Sequence, residues 1–222
     1  MFKLLIQSAL FVLPWMLRRR ALKVIFGFEI ASSASIGFSL LGVDNCEIGE
    51  NARIGHLTMV KGLSLLRIED HGILGNLNWV TGFPKSSKMH FSEDTSRDPC
   101  LWIEQHAAIT NRHLVDCTDR VTIGKFSTVG GFRSQLLSHS IDLSTNRQSC
   151  RPITVGAYCF VGTGSVLLKG SALPDYSVLG AGSVLTKVMS EPGKLYSGVP
   201  AELVRSIDYT SGYFVRKTGF VH

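Results

Sequence analysis

Along most of the chain the large aliphatic residues return every six positions. That spacing fits neither the period of two of a strand nor the 3.6 of a helix. Between Val161 and Lys187 they stand at Val161, Leu167, Leu173, Leu179 and Leu185. The local motif returns after three sixes: the stretch from Val161 to Val166 reads VGTGSV, and the stretch from Leu179 to Val184 reads LGAGSV. Earlier copies run through Ile48 and Ile54, through Ile68, Leu74 and Val80, through Ile103, Ile109, Val115 and Val121, and through Ile123 and Val129, with slips of phase between them.

A repeat of this kind predicts a solenoid. Each six is a short strand plus a turn, and three sixes close one triangular coil. The aliphatic residue points inward and stacks on its counterpart one coil away, and a small residue lets the chain turn. One coil cannot bury its own apolar stack, so many are needed. The fold class expected is mainly β: a left-handed parallel β-helix, an exception to the usual right-handed crossover. A sandwich of short strands is the competing architecture, but its strands alternate in twos and do not repeat every eighteen.

The rhythm divides the chain. Residues 1–28 precede it, residues 29–190 carry it, and residues 191–222 form an extension expected to be partly helical or irregular. Two stretches break it: GFPKSSKMHFSEDTSRDPC, from Gly82 to Cys100, and DLSTNRQSCRP, from Asp142 to Pro152. Long loops on rigid scaffolds often carry binding function.

The apolar run Leu4–Leu17 is short for a membrane span and contains Gln7 and Pro14. Arg18-Arg19-Arg20 follow it where a signal peptide would need small residues. Two readings stay open: an amphipathic helix lying on a membrane, or one packing on its own protein or a neighbouring subunit. Lys3, Arg18, Arg19, Arg20 and Lys23 all precede the first acidic residue, Glu29, and supply part of the net charge of +6. The rest of the basic excess is not clustered with aromatics, so nucleic acid is not the expected partner. Five cysteines, without a CxxC pair, argue against a disulfide framework and a cysteine zinc site and for a reducing, cytoplasmic compartment.

The stretches VTIG, SHSID, ITVGAYCFVGTGSVLLKG, SVLGAGSVLTK and SGVPAELVRSI, strongest between Val121 and Arg205, resemble the hexapeptide-repeat acyltransferases. In particular, they resemble the branch of the maltose, galactoside and exopolysaccharide O-acetyltransferases. The resemblance implies acetyl-CoA as co-substrate, a sugar, glycan or glycolipid intermediate as acceptor, no metal, and a homotrimer with active sites between subunits. It implies that His139, in SHSID before the second break, is the catalytic base. Asn111 resembles the asparagine that helps hold the acetyl-transfer site, and Asp116 or Asp119 the acid that contacts the sugar. Thr163 and Ala181 match backbone contacts to the acyl end of the cofactor; Thr186, Lys187 and Arg205 match its phosphate end. Glu202 stands where close relatives carry a second arginine.

The chemistry agrees with the residue types. An attacking hydroxyl must lose a proton, and a histidine titrates near neutrality. No covalent intermediate is required if both substrates are held together. The base needs an orienting carboxylate; Asp142 is near in sequence, and Glu104 or another could approach from a neighbouring coil. Asp142 also counts as a candidate substrate contact. His106 and His113 lie about two coils earlier, His113 on a position usually small, where it is expected to turn outward. His56, His71, His90 and His222 show no constellation. A zinc hydrolyase on the same fold needs three histidines, two of them five apart. A non-catalytic scaffold is the other alternative.

Overall fold

The structure is a computed structural model; it describes residues 2–87, 90, 91, 94, 96–219 and 221. The chain winds as a left-handed parallel β-helix with three faces. The first face holds seven strands, from Glu29–Ile30 to Ala172–Leu173. The second runs from Ser35–Ile36 to Val178–Leu179 and is extended by Lys194–Gly198 and Ala201–Ser206 to nine. The third holds seven, from Leu40–Gly42 to Val184–Leu185.

The sixfold aliphatics are the inward column of each face. On the first, Ile103 stacks between Ile68 and Ile123; on the second, Val161 between Val129 and Leu179; on the third, Leu167 between Leu136 and Leu185. All of these are buried, and burying each such side chain is worth about 1.5–3 kcal/mol. The glycine after the aliphatic residue answers to crowding between coils. A Cβ on Gly162 would lie 2.5 Å from the backbone nitrogen of Ala181.

The corners also use larger residues. Among the described residues, ten non-glycine residues there have positive φ, a strained conformation for ordinary side chains. At the first corner, between the first and second faces, they form a ladder. His71 stacks on His106 at 4.6 Å, His106 on Phe126 at 4.8 Å, Phe126 on Tyr158 at 4.7 Å and Tyr158 on Tyr176 at 5.2 Å. The C-terminal extension runs back over this ladder. The Arg216 guanidinium lies 3.9 Å from the Tyr213 ring centre, and Gly219 N donates to His106 Nδ1.

At the other end, helices α1 (Phe2–Ala9) and α2 (Trp15–Phe26) close the open coil. The Gln7 side chain donates to Leu41 O and accepts from Leu41 N, both at 2.8 Å, much as one more strand would. Trp15 Nε1 donates to Ala34 O at 3.0 Å, and Arg18 and Arg19 donate to Ile36 O and Ser32 O. The outer side leaves Val12, Met16 and Val24 exposed. No helix among the described residues is long and apolar enough to cross a membrane.

The second break is not a loop. It is an antiparallel hairpin of His139–Asp142 with Arg147–Cys150, so His139 lies in its first strand rather than ahead of a loop.

Candidate functional site

The third corner, between the third and first faces, gathers the polar side chains. Strand Leu114–Asp116 ends on Asp116, and the next coil of the same face ends at Leu137 and turns into Ser138 and His139. Coil stacking therefore sets Asp116 beside His139. Asp116 Oδ2 accepts from the backbone N–H of His139 at 2.9 Å and lies 2.6 Å from Nδ1 of its ring. Ser138 Oγ donates to the same oxygen at 3.2 Å. Thr118 gives its N–H and its hydroxyl to Oδ1, at 3.1 and 2.7 Å.

The arrangement selects a protonation state. The carboxylate accepts, so Nδ1 carries the proton and Nε2 is the basic atom. Burial pushes the Asp116 carboxyl upward, but the hydrogen bonds from His139 and Thr118 outweigh it and hold the group below the usual carboxylate range. It stays ionised at neutral pH, its side chain 8% exposed, while that of His139 is 30% exposed.

Two walls flank the imidazole. The excursion between Trp79–Thr81 and Cys100–Ile103 sets Phe83 edge-on to it at 5.4 Å and Phe91 at 6.3 Å. The hairpin forms the other, with Cys150 opposite His139. The walls touch: the Cys150 thiol donates to Asp94 at 3.4 Å. Burial, then that bond, pushes the thiol up to about 12, so it is no nucleophile.

Of the carboxylates weighed as partners of His139, neither Asp142 nor Glu104 is bonded to it. Asp142 closes the hairpin turn, accepting from Ser144 and Thr145, and Glu104 accepts from Lys125 N. Asp119 accepts from the backbone of Asp98 and Arg120.

Asn111, Thr163 and Ala181 stand at the second corner, between the second and third faces. Asn111 Oδ1 accepts from the backbone and side chain of Asn76 at 2.7 and 2.9 Å. Thr163 Oγ1 bridges the N–H and carbonyl of Phe132. A groove of about 500 Å³ runs there past His56, Asn76, Asn111 and Phe132. One chain thus puts Asn111 and His139 on different corners.

Thr186 and Lys187 share the third corner with His139, two coils further on, and Lys169 ends the coil between them. Lys187 is paired with Glu202 at 3.0 Å. Arg205 lies on the last strand of the second face, opposite Leu195, and donates to Ser206 O.

His113 does not turn outward. It is 2% exposed; Ser134 N–H donates to its Nδ1 at 3.2 Å, and its Nε2 lies 2.9 Å from Thr110 Oγ1. Burial lowers it to about 4. Its position carries a large residue because the ring replaces backbone partners inside the corner. His106, His113 and His139 occupy three different corners, and His90 lies against Phe83 at 5.1 Å; His222 is outside the described residues.

Phe83, Phe91, Arg97 and Thr118 were not singled out by the sequence. The one available signal was two phenylalanines and an arginine inside an otherwise polar break.

The polysialic acid O-acetyltransferase OatWY superposes with a TM-score of 0.61 at 17% identity, over 84% of this chain and 90% of that one. The fold is the hexapeptide-repeat β-helix. Galactoside O-acetyltransferase of Escherichia coli (strain K12) is 39% identical over 57 residues, 26% of this chain. The chain matches over 28% of that relative's length. No family model matches. Both relatives are O-acetyltransferases, the kind of protein the repeat motifs resemble.

Proposed function

We propose that the protein is an O-acetyltransferase that moves an acetyl group from acetyl-CoA to a hydroxyl of a sugar or glycan, with His139 as general base. The observation that carries this is the Asp116–His139 bond of 2.6 Å at a walled corner. In this reading Nε2 takes the proton of the acceptor hydroxyl as its oxygen attacks the thioester carbonyl. Asp116 keeps the ring in the Nδ1–H tautomer and faces the imidazolium as it forms. The tetrahedral intermediate collapses with cleavage of the C–S bond, and the imidazolium returns the proton to the leaving thiolate. Asp116 is thereby assigned to orienting the base instead of contacting the sugar.

The same reading makes the enzyme a homotrimer. Supporting it is an apolar strip that one chain leaves open: Leu57, Leu77, Trp79, Leu114 and Phe132 are each at least 40% exposed along the second corner and third face. Packing that strip against a neighbour would bring one copy's second corner, with Asn111, Thr163 and Ala181, to another's His139. Acetyl-CoA would then lie along the second-corner groove, its phosphates meeting Thr186, Lys187 and Arg205. The test is release of CoA thiol from acetyl-CoA over a panel of mono- and oligosaccharides. Acceptor-dependent release with a stoichiometric acetyl ester is expected. Release that no hydroxyl acceptor accelerates would overturn the assignment.

A further inference from the structure

The excursion that walls His139 is fastened by one buried cation. Arg97 is 1% exposed, and its guanidinium lies among carbonyl oxygens. Nη1 donates to Phe83 O at 2.7 Å and to Thr118 O at 3.4 Å; Nη2 donates to Pro84 O. Its Cζ lies 4.8 Å from the centre of the Phe91 ring. A buried guanidinium is tolerated only when its donors are occupied, and a planar fork whose donors are spent on two backbone segments fixes one relative to the other.

Those two segments are the ones that touch the pair. Phe83 N–H donates to Thr118 Oγ1 at 3.3 Å, and the Phe83 ring meets the His139 imidazole. Thr118 holds Asp116 Oδ1 with both its donors, and its Oγ1 lies 3.3 Å from His139 Nδ1. The fork therefore joins the residue that packs on the imidazole to the residue that anchors its carboxylate.

We propose that Arg97 is a positioning residue for the Asp116–His139 pair, acting through Thr118 and Phe83. The proposal rests on the reading of His139 as base. An arginine that only helped the excursion fold would change stability and leave the tautomer and the rate of the folded enzyme alone. One that positions the pair changes both without touching the thioester.

The test is Arg97→Lys in the full chain. A lysine keeps the charge but cannot span both segments. Its kcat should fall on the order of 10- to 10²-fold, the scale of a small misplacement of a catalytic group, with KM for acetyl-CoA within about two-fold of native. In ¹⁵N spectra the His139 ring should pass from one Nδ1–H tautomer to a mixture. Should Arg97→Lys not fold, Arg97→Gln is read in its place, since a neutral amide of similar reach carries no buried ammonium. Native kcat and a single tautomer in the folded variant overturn the proposal. Failure of the base reading looks different: His139→Ala would keep turnover while the native ring still responded to Arg97→Lys.

Discussion

Two adjacent corners of this β-helix each hold a histidine, and the pair separates structure from chemistry. His113, at the second corner, is sealed between Thr110 and Ser134, with a hydroxyl and a backbone N–H on its ring nitrogens. His139, at the third, has Nδ1 on a carboxylate and its side chain 30% exposed. The scaffold and the residue type are the same. What differs is access and a fixed negative charge. Burial without a carboxylate drives His113 to about 4, where it is neutral and inert at physiological pH. In the proposed reading, a half-open site with an ionised Asp116 that accepts five hydrogen bonds supplies a base whose tautomer is already chosen.

That contrast can be broken by experiment. The largest change after loss of His139 itself is expected from Asp116→Asn, which keeps the shape of the corner but removes the charge that selects the tautomer. Turnover should fall on the order of 10²-fold or more while acetyl-CoA binding holds; steady-state kinetics and calorimetry check it. Next comes the interface. Mixing inactive His139→Ala and Asn111→Ala chains through unfolding and refolding should restore turnover if the two corners meet across subunits, and should restore none if each chain works alone.

The His113 side is tested by pH. Its folded value near 4 lies below the ordinary 6.5, so between those values the unfolded chain binds a proton that the folded chain refuses. Stability is full above about 6.5 and falls as the pH drops towards 4, by on the order of 2 kcal/mol. Urea unfolding at pH 7 and pH 4.5 measures it, and His113→Asn should flatten that slope without reducing kcat at pH 7 more than a few-fold. The smallest effect concerns the proposed cofactor end. Lys187 is neutralised by Glu202, so Glu202→Gln should lower KM for acetyl-CoA by about two- to five-fold, a fraction of a charged contact.

The inward columns were legible because a period of six is written into single residues: Val161, Leu167 and Leu173 face three sides of one coil whatever surrounds them. The place of His139 at a corner was legible through SHSID. Its partner was not, because Asp116 lies 23 positions back and the coils between vary in length, so neither six nor eighteen counts to it. The proximity of Asp142 in sequence misled for the same reason: a hairpin carries that residue away from the corner. His113 looked outward-facing because only the size of its position was readable, not the backbone partners its ring replaces. The aromatic ladder, with its positive φ at His71, His106, Phe126, Tyr158 and Tyr176, runs against the preference for glycine or asparagine at such positions. Only the stacking of coils reveals what those rings gain there.

The central claim is that His139 takes the acceptor's proton, and His139→Ala tests it most directly. The variant should fold, assemble as the native chain does and bind acetyl-CoA with native affinity, yet lose on the order of 10²–10⁴ in kcat, the usual share of general base catalysis. A His139→Ala enzyme that turns over within a few-fold of native, on a preparation with the same assembly state and the same acetyl-CoA affinity, would contradict the account.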